Sequence, residues 1–272
     1  MSRVIFRTIV SSPHELNFVY LNWLELRDLV DVFLITEADV THSGVLREPV
    51  FEDVIPKEMR DCPKVKYSFC KIEKEKVHPE KSPKNFHSNE QLIRNSFRSV
   101  LELADEDIVI SCDADEVLFE GRIKLLIKKV RFGRPFAESY CLRLFQVIYR
   151  YSYYWKDCDF RGPTVSTARF FLRQSKPQWR YDGRFTLIKS GTHFSWVMSF
   201  NDMLKKIRSY AHSSEFEHLA NLESLSAMVK NLKYPFEPER NFTIVKQKNL
   251  RTRIYPNSLA VIENSIPQEL IK

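Results

Sequence analysis

Residues 107–116, Asp-Ile-Val-Ile-Ser-Cys-Asp-Ala-Asp-Glu, decide the fold class because an apolar run leads directly into a cluster of acids. The isoleucine and valine residues of this run are typical of a strand that is covered on both faces of a sheet. Asp113, Asp115 and Glu116 follow where such a strand leaves the sheet, and open α/β sheets bind their ligands at this edge. The stretch therefore predicts a buried strand that ends in a polar site.

The segments before and after this stretch predict an α/β fold. Residues 4–10 and 31–37 are apolar strand candidates, and residues 15–29 between them carry apolar side chains at three- and four-residue steps, which is typical of an amphipathic helix. A strand, a helix and a second strand in this order imply parallel neighbours joined by a right-handed crossover. The remaining predicted elements are strands at 65–72, 140–151 and 168–173, helices at 88–103, 117–132, 202–210 and 215–232, and an exposed loop at 73–88.

Composition and charge limit the class of protein. The 272 residues carry a net charge of +7 at pH 7, which suits anionic partners such as phosphorylated small molecules. The basic residues are scattered, so we expect no nucleic-acid partner. The five cysteines include no Cys-x-x-Cys pair, which argues against a disulfide framework and a zinc site. No run approaches the ~20 apolar residues of a membrane span. We expect a cytoplasmic protein, or one that associates peripherally with a membrane from the cytoplasmic side.

The acidic end of the strand has two catalytic interpretations. In the first, Asp113 and Asp115 hold Mg²⁺ or Mn²⁺, which prefer oxygen ligands, and the cation bridges the diphosphate of a nucleotide-sugar. In the second, Asp113 is the phosphorylated nucleophile of a haloacid-dehalogenase-type phosphatase and Asp115 is its acid/base partner. That chemistry needs a later strand that ends in paired aspartates, and no downstream aspartate ends a clear apolar strand. A non-catalytic polyanion- or nucleotide-binding protein is a third interpretation, and capping of the next segment is the purely structural one.

Two further segments supply candidate nucleotide-binding residues. Arg94 and Asn95 belong to the helix that leads into the acidic strand, and a guanidinium group there can bind a phosphate in bidentate fashion. Glu37, Thr41 and Gly44 follow the second strand, so they fall at the carboxyl edge of the sheet where a nucleotide would lie.

Residues later in the chain complete the candidate site. His193 and His212 flank one predicted helix, and a loop histidine near carboxylates can complete the ligand set of a metal ion. We therefore count both histidines, with the two aspartates, as candidate metal ligands. In the nucleotide-sugar interpretation, a general base must also accept the proton of the acceptor hydroxyl. Asp182 is the first candidate for that base, and Glu138 and Asp157 remain open.

Four blocks of sequence, in a fixed order over residues 14–216, resemble one known family. The blocks are 15–37 with Thr41-His42-Ser43-Gly44, then Asn89-Glu90 with Arg94-Asn95, then residues 107–116, and finally Gly191-Thr192-His193-Phe194-Ser195-Trp196 with Lys206-Ile207-Arg208-Ser209-Tyr210-Ala211-His212. Together they resemble glycosyltransferase family 17, the family of the bisecting β-1,4-N-acetylglucosaminyltransferase of N-glycan synthesis.

The resemblance implies a GT-A-type, Rossmann-like fold with a mixed, mainly parallel sheet, flanking helices and a helical C-terminal part. It also implies a nucleotide-sugar donor, with a UDP-sugar as the first expectation, a divalent cation (Mn²⁺ or Mg²⁺) and inversion at the anomeric carbon. The Asp-x-Asp motif of the family falls on Asp113 and Asp115, and its Arg-Asn helix falls on Arg94 and Asn95.

The same resemblance sets expectations for domains and substrates. Residues 1–200 are expected to form the nucleotide-sugar-binding and catalytic domain, and residues 201–272 a helical or extended part packed on it. The transferred sugar is expected to be N-acetylglucosamine or another hexose or pentose, and the acceptor a glycan hydroxyl. Animal members of the family carry an N-terminal membrane anchor and work in the secretory lumen, so without such an anchor we expect an acceptor other than a Golgi N-glycan core.

Overall fold

The structure is a computed structural model that describes most of the chain. The described residues are 2–73, 77, 83–133, 137–173, 183–209, 217–234, 237, 239 and 241–271.

Strands and helices alternate through the first half of the chain. Within the described residues the strands are β1 (Val4–Ile9), β2 (Val32–Ala38), β3 (Val65–Cys70), β4 (Ile108–Ser111), β5 (Glu116–Leu118), β6 (Ser139–Ile148), β7 (Tyr153–Thr167), β8 (Arg184–Phe185), β9 (Gly191–Ser195) and β10 (Ile244–Lys246). The α-helices are α1 (Glu15–Leu26), α2 (Phe51–Val54), α3 (Lys57–Arg60), α4 (Pro83–Asn95), α5 (Glu120–Phe132), α6 (Ala168–Arg173), α7 (Phe200–Ser209), α8 (Leu222–Lys230), α9 (Leu259–Ile262) and α10 (Gln268–Ile271).

The strands form one mixed sheet in the order β3-β2-β1-β4-β7-β6-β9-β5, with β10 added to β7 and β8 added to β6. Strands β1 to β4 are parallel to one another, and in the shared register Phe6 lies beside Phe33 and Ile110. Strand β7 then pairs antiparallel with β4 and β6, while β6 and β9 are parallel. The predicted mixed α/β sheet is confirmed, and its four parallel strands bring their carboxyl ends to one edge.

Both faces of β1, β2 and β4 are buried, as the apolar runs in the sequence predict, while the edge strand β3 is partly exposed. Phe6 and Ile110 point to one face and pack in a cluster with Trp23 of α1. Ile5 points to the other face and packs in a separate cluster with Phe97 of the 3₁₀ turn after α4. Because successive side chains of a strand alternate between faces, one short strand such as β1 supports both layers of helices.

The C-terminal residues pack against the same sheet. Met203 and Ile207 of α7 share a cluster with Ile148 at the end of β6. Leu250 and Leu259 share another cluster with Phe18 of α1 and Val117 of β5. None of the helices in the described ranges is both long and apolar enough to span a bilayer. All five cysteines are free thiols.

Two predicted elements are wrong. Residues 168–173 form helix α6 instead of a strand, because Thr167 caps the segment by accepting the backbone N–H of Phe170 (3.2 Å), and Ala168 and Phe171 form its buried side. The predicted loop at 73–88 is also too long, since α4 begins at Pro83, a residue well suited to the first turn of a helix.

Candidate functional site

The acidic turn, residues 112–116, leaves β4 at the carboxyl edge of the parallel strands. Glu116 fixes the shape of this turn, because its Oε2 accepts the backbone N–H of Asp113 (2.6 Å). The side chain of Asn22 on α1 then holds the end of the turn by donating to the Glu116 carbonyl (2.8 Å) and accepting the N–H of Leu118 (3.0 Å). Glu116 and Asn22 are fully buried, so both serve to shape the turn.

Strand β7 passes very close to the acidic turn at Gly162. A Cβ atom at this position would clash with Oε1 of Glu116 and would lie 2.9 Å from the ring of Phe160. Glu116 cannot easily move aside, since its other carboxylate oxygen holds the turn. The antiparallel strand therefore fits against the acidic turn only where it carries glycine.

Asp113 lies on the side of the turn that faces α4. Its Oδ1 accepts a hydrogen bond from Arg94 at 2.8 Å, and Nε of Arg94 donates to Glu90 at 2.8 Å. Arg7 of β1 in turn donates to the backbone carbonyl of Arg94 at 2.8 Å. Arg94 is buried, so the guanidinium group is held in one orientation with its charge directed at Asp113.

Asp115 lies on the opposite side of the turn, where its partners come from the second half of the chain. Its Oδ2 is 3.4 Å from Nζ of Lys206 on α7, and its Oδ1 is 3.6 Å from Nε2 of His193 on β9. Burial alone would raise the pKa of Asp115, but Lys206 and His193 outweigh burial and hold that pKa far below its usual range. The carboxylate is therefore ionised at any physiological pH.

His193 is held in place by three contacts. It lies beside Gln146 in the register of β9 and β6, and its Nδ1 is 2.9 Å from the side-chain oxygen of Gln146. The ring of Phe160 covers its face at a centroid distance of 3.9 Å. Because an amide oxygen only accepts hydrogen bonds, Nδ1 carries a proton, and Nε2 is the ring nitrogen that faces Asp115. Gln146 is only 1% exposed, which makes this orientation rigid.

Lys206 has a second acidic neighbour at the start of α1. Burial would lower the pKa of Lys206, but Asp115 and then Glu15 raise it above its ordinary value. Burial raises the pKa of Glu15 to about 7, and the nearby Asp115 adds to this, although Lys206 acts in the opposite direction. Of the two carboxyl groups near Lys206, Asp115 is therefore ionised at neutral pH, whereas Glu15 is partly protonated.

Two histidines lie near the acidic turn with buried Nε2 atoms that find no hydrogen-bond partner among the described residues. Burial lowers the pKa of His14 to about 4, and Lys206 lowers it further. Burial also lowers the pKa of His42. Both imidazoles are therefore neutral at physiological pH, and neither adds positive charge to the site.

The loop after β2 holds three predicted nucleotide-binding residues. The carboxylate of Glu37 is occupied within the loop, where it binds Arg47 (2.5 Å) and the hydroxyl of Tyr67 (2.6 Å). Thr41 contacts Ser43 (2.9 Å between hydroxyl oxygens), and Gly44 adopts a positive φ of 80° at the turn. Glu37 thus positions the loop, while Thr41 and Gly44 form its tip.

The tip of this loop also contacts helix α7. The backbone N–H of Ser43 donates to the carbonyl of Ser209 (3.2 Å), and the Ser43 hydroxyl donates to the carbonyl of Arg208 (3.1 Å). Helix α7 therefore bridges the β2 loop and the acidic turn.

The other predicted residues fall in different places. Asn95 is exposed at the end of α4. Glu138 pairs with Arg169, and Asp157 accepts the backbone N–H of Thr243 (3.2 Å). Asp182 and His212 lie outside the described residues. The structure thus brings together Arg94, Asp113, Asp115 and His193.

Sequence reasoning missed several residues of the site. Lys206 stands in one of the four sequence blocks, but it looks like one of two adjacent lysines on an amphipathic helix. Gln146 and Glu15 sit in ordinary strand and helix patterns, so only the structure shows their neighbours. The sequence offers one signal for Glu15: two adjacent ionisable residues, His14 and Glu15, follow Pro13 at the start of α1.

The residues present fit a divalent cation with substrate oxygens completing its ligand set. Oδ1 of Asp115 and Nε2 of His193 converge at 3.6 Å, and the other partner of His193 fixes the tautomer that metal ligation requires. Asp113 adds a carboxylate two residues away. Within the part of the chain that the structure describes, however, no group of three or more His, Cys, Asp or Glu side chains could hold a metal ion without help.

The mixed α/β sheet places both aspartates at the carboxyl edge of its parallel strands, which is the edge where open α/β sheets bind their ligands. The profile of glycosyltransferase family 17 matches residues 1–232, and the chain belongs to this family. It is therefore a glycosyltransferase, and its mixed sheet flanked by helices agrees with the α/β fold that the resemblance implied.

Solved structures add distant similarities. A structure of 4-diphosphocytidyl-2C-methyl-D-erythritol synthase matches with a TM-score of 0.37 and 12% identity, over 64% of this chain and 78% of that one. Residues 1–349 of TarS from S. aureus match with a TM-score of 0.39 and 10% identity, over 76% of this chain and 63% of that one. No curated protein matches the sequence.

Proposed function

We propose that the protein is a metal-dependent, inverting glycosyltransferase that moves a sugar from a nucleotide-sugar to a hydroxyl group of a glycan. The donor is a UDP-sugar, and the sugar is N-acetylglucosamine or another hexose or pentose. The observation that carries the proposal is the convergence of Asp115 and His193 at 3.6 Å beside an Asp113 that Arg94 orients.

Asp115 and His193 would hold Mn²⁺ or Mg²⁺ together with oxygens of the donor, and Asp113 and His212 are further candidate ligands. When bound, such a cation neutralises the diphosphate that leaves as the glycosidic bond breaks. The protein's own contribution is a rigid arrangement of charges. Gln146 keeps Nε2 of His193 directed at Asp115, and the buried Asp115 stays ionised.

Positive charge for the donor phosphates comes from Arg94, on the α4 side of the acidic turn. Arg94 is oriented by Glu90 and by the contact of Arg7 with its carbonyl, so little entropy is lost when it binds an oxyanion. Thr41 and Gly44 at the tip of the β2 loop are proposed to contact the nucleotide, with Glu37 holding that loop in shape. Asn95 at the exposed end of α4 is proposed to contact the donor as well.

The general base must lie within hydrogen-bond reach of the acceptor hydroxyl. We propose Asp182 for this role, ahead of Glu138 and Asp157, because those two already bind Arg169 and the N–H of Thr243. We also propose that residues 1–200 form the catalytic domain and that residues 201–272 pack on it as one functional unit. Lys206 supports this arrangement, since it contacts the acidic turn from the C-terminal part.

A thermal-shift screen of nucleotide-sugars with and without Mn²⁺ tests the proposal. A donor that binds the native state raises the melting temperature, and the rise should require the cation. The donor found in this way is then incubated with wild-type protein and with Asp113→Asn. We expect the wild type to hydrolyse the donor slowly and the variant to lose this hydrolysis. Full hydrolysis by Asp113→Asn would contradict the proposal.

A further inference from the structure

Lys206 contacts the same carboxylate that the proposed function assigns to a divalent cation. Its Nζ lies 3.4 Å from Oδ2 of Asp115 and 5.7 Å from the ring centre of Trp196. The side chains of Lys206 and Asp115 are only 19% and 10% exposed. Solvent ions screen such a pair less than a surface pair, so the positive charge acts strongly on Asp115.

A second cation at Asp115 therefore competes with Lys206. Oδ1 of Asp115 faces His193 and Oδ2 faces the ammonium group, so the two sides of one carboxylate serve different partners. A divalent ion and an ammonium group at this range repel each other. A diphosphate removes the conflict, because its negative oxygens can bind both positive charges.

We propose that Lys206 is an exchangeable counter-cation, which balances Asp115 when no donor is bound and binds the diphosphate of a nucleotide-sugar when Asp115 holds the metal ion. This inference rests on the proposed function. It makes Lys206 of α7 a ligand for the donor diphosphate, and it gives Lys206 the further role of balancing the charge of Asp115 before the donor binds. The ligand class is a nucleoside diphosphate.

The two roles make removal of Lys206 act in opposite directions on two ligands. With Lys206→Met, Mn²⁺ alone should bind about five- to tenfold more tightly, because the competing charge is gone. UDP at saturating Mn²⁺ should bind about tenfold more weakly, because one charged contact to the diphosphate is lost. A lysine that merely stabilised the site would leave both affinities unchanged or weaken both.

The neighbouring lysine provides a matched control. Lys205 is on the same helix with 74% of its side chain exposed, and it pairs with Asp202 at 3.4 Å. Lys205→Met removes the same charge from α7 and should leave both affinities within about twofold, because an exposed charge is screened.

The experiment is a calorimetric titration of each protein with Mn²⁺ alone, followed by UDP at saturating Mn²⁺. Lys206→Arg keeps the positive charge and should restore UDP binding to within about threefold of the wild type, and circular dichroism checks that each variant is folded. If Lys206→Met does not fold, Lys206→Gln takes its place in the same titrations.

The outcomes separate this inference from the proposed function. Unchanged or weaker Mn²⁺ binding by Lys206→Met overturns the inference, as does unchanged UDP binding. If wild-type protein binds Mn²⁺ and UDP while Lys206→Met behaves identically, only the inference fails. If wild-type protein binds no Mn²⁺, the metal dependence of the proposed function fails with it.

Discussion

The two aspartates of the acidic turn are two positions apart, yet they belong to different regions of the molecule. Asp113 is held by Arg94 of α4, which belongs to the first half of the chain. Asp115 faces Lys206 and His193, which come from the second half. The Asp113 side chain is 31% exposed and that of Asp115 is 10% exposed. Asp113 is thus the more exposed carboxylate and is bound by a fixed arginine. Asp115 is the more buried one and faces a lysine and a histidine.

This difference indicates that the two aspartates of one short motif have different roles. An arginine that is itself fixed by an acid and by a backbone contact has few other places to go, so the Asp113 side keeps one geometry. A lysine on a flexible stem can leave Asp115 without disturbing the backbone. We therefore expect substitutions on the Asp115 side to weaken cation binding most. Substitutions on the Asp113 side should mainly disturb the orientation of the groups that bind the donor.

The largest effect is expected from Asp115→Asn. Loss of this carboxylate removes a buried charge that would bind the cation and leaves Lys206 without its partner. We expect donor turnover to fall by about 10³-fold and Mn²⁺ binding to be lost in calorimetric titrations. Asp113→Asn serves as the comparison and should retain weak Mn²⁺ binding. Equal Mn²⁺ affinities for the two variants would remove the distinction between the two sides.

A smaller effect is expected from Arg94→Lys. Lysine keeps the positive charge, but it has no planar group that can bind Asp113 and Glu90 at the same time. The side chain at position 94 is then no longer held in one orientation. We expect kcat to fall by about 10²-fold in donor-turnover assays, with Mn²⁺ affinity little changed. Arg98→Lys, one turn further along and exposed, is the control. A large loss of Mn²⁺ affinity in Arg94→Lys would show that Arg94 acts on the cation.

Glu15 on the Asp115 side gives a pH-dependent prediction. Folding raises its pKa from 4.5 to about 7, so between these values the folded protein binds a proton that the unfolded chain lacks. Stability therefore falls as pH rises through this window. Glu15→Gln removes the titration but keeps an oxygen for the N–H of Ser11. Relative to the wild type, the variant should gain about 2 kcal/mol in free energy of unfolding between pH 5.5 and 8.

Urea unfolding at the two pH values measures this gain, and the exposed Glu106→Gln should show no such change. A pH-independent difference between wild type and Glu15→Gln would mean that Glu15 is ionised in the folded protein.

The smallest effect is expected at Gln146, which touches no ligand. Gln146→Met keeps the volume of the side chain but removes the acceptor of the His193 Nδ1 proton, so either nitrogen can carry it. Mn²⁺ affinity should fall about tenfold. Nitrogen NMR of the His193 ring should show a single protonated Nδ1 in the wild type and a mixture of tautomers in the variant. A wild-type ring protonated mainly at Nε2 would contradict the assignment.

Much of the fold could be predicted from the sequence because the parallel strands β1, β2 and β4 are buried on both faces. Their apolar runs at 4–10, 31–37 and 107–111 have no polar alternation that would suggest anything else. Residues 168–173 were misassigned since a short run with two phenylalanines fits a strand as well as a helix. The helix is favoured by the cap from Thr167 and by the hydrogen bond from the Ala168 N–H to the Asp107 carbonyl. Both contacts depend on the neighbouring strands.

The site could be predicted only where its residues are adjacent to a recognisable strand end or motif. The acidic turn and Arg94 meet that condition, and the family match favours a transferase over the phosphatase interpretation of Asp113. Lys206 and Gln146 do not meet it, because their roles arise from contacts with residues 91 and 47 positions away. Long-range pairing of this kind leaves no local pattern in a single sequence.

Gly162 shows how strongly the acidic turn depends on a position that binds nothing. Every side chain other than hydrogen would press on Glu116 and, through it, on the N–H of Asp113. Any missense change at this codon would therefore distort the aspartates while the fold remained recognisable. An inactive relative with an intact Asp-x-Asp motif should be checked first at the residue that corresponds to this glycine.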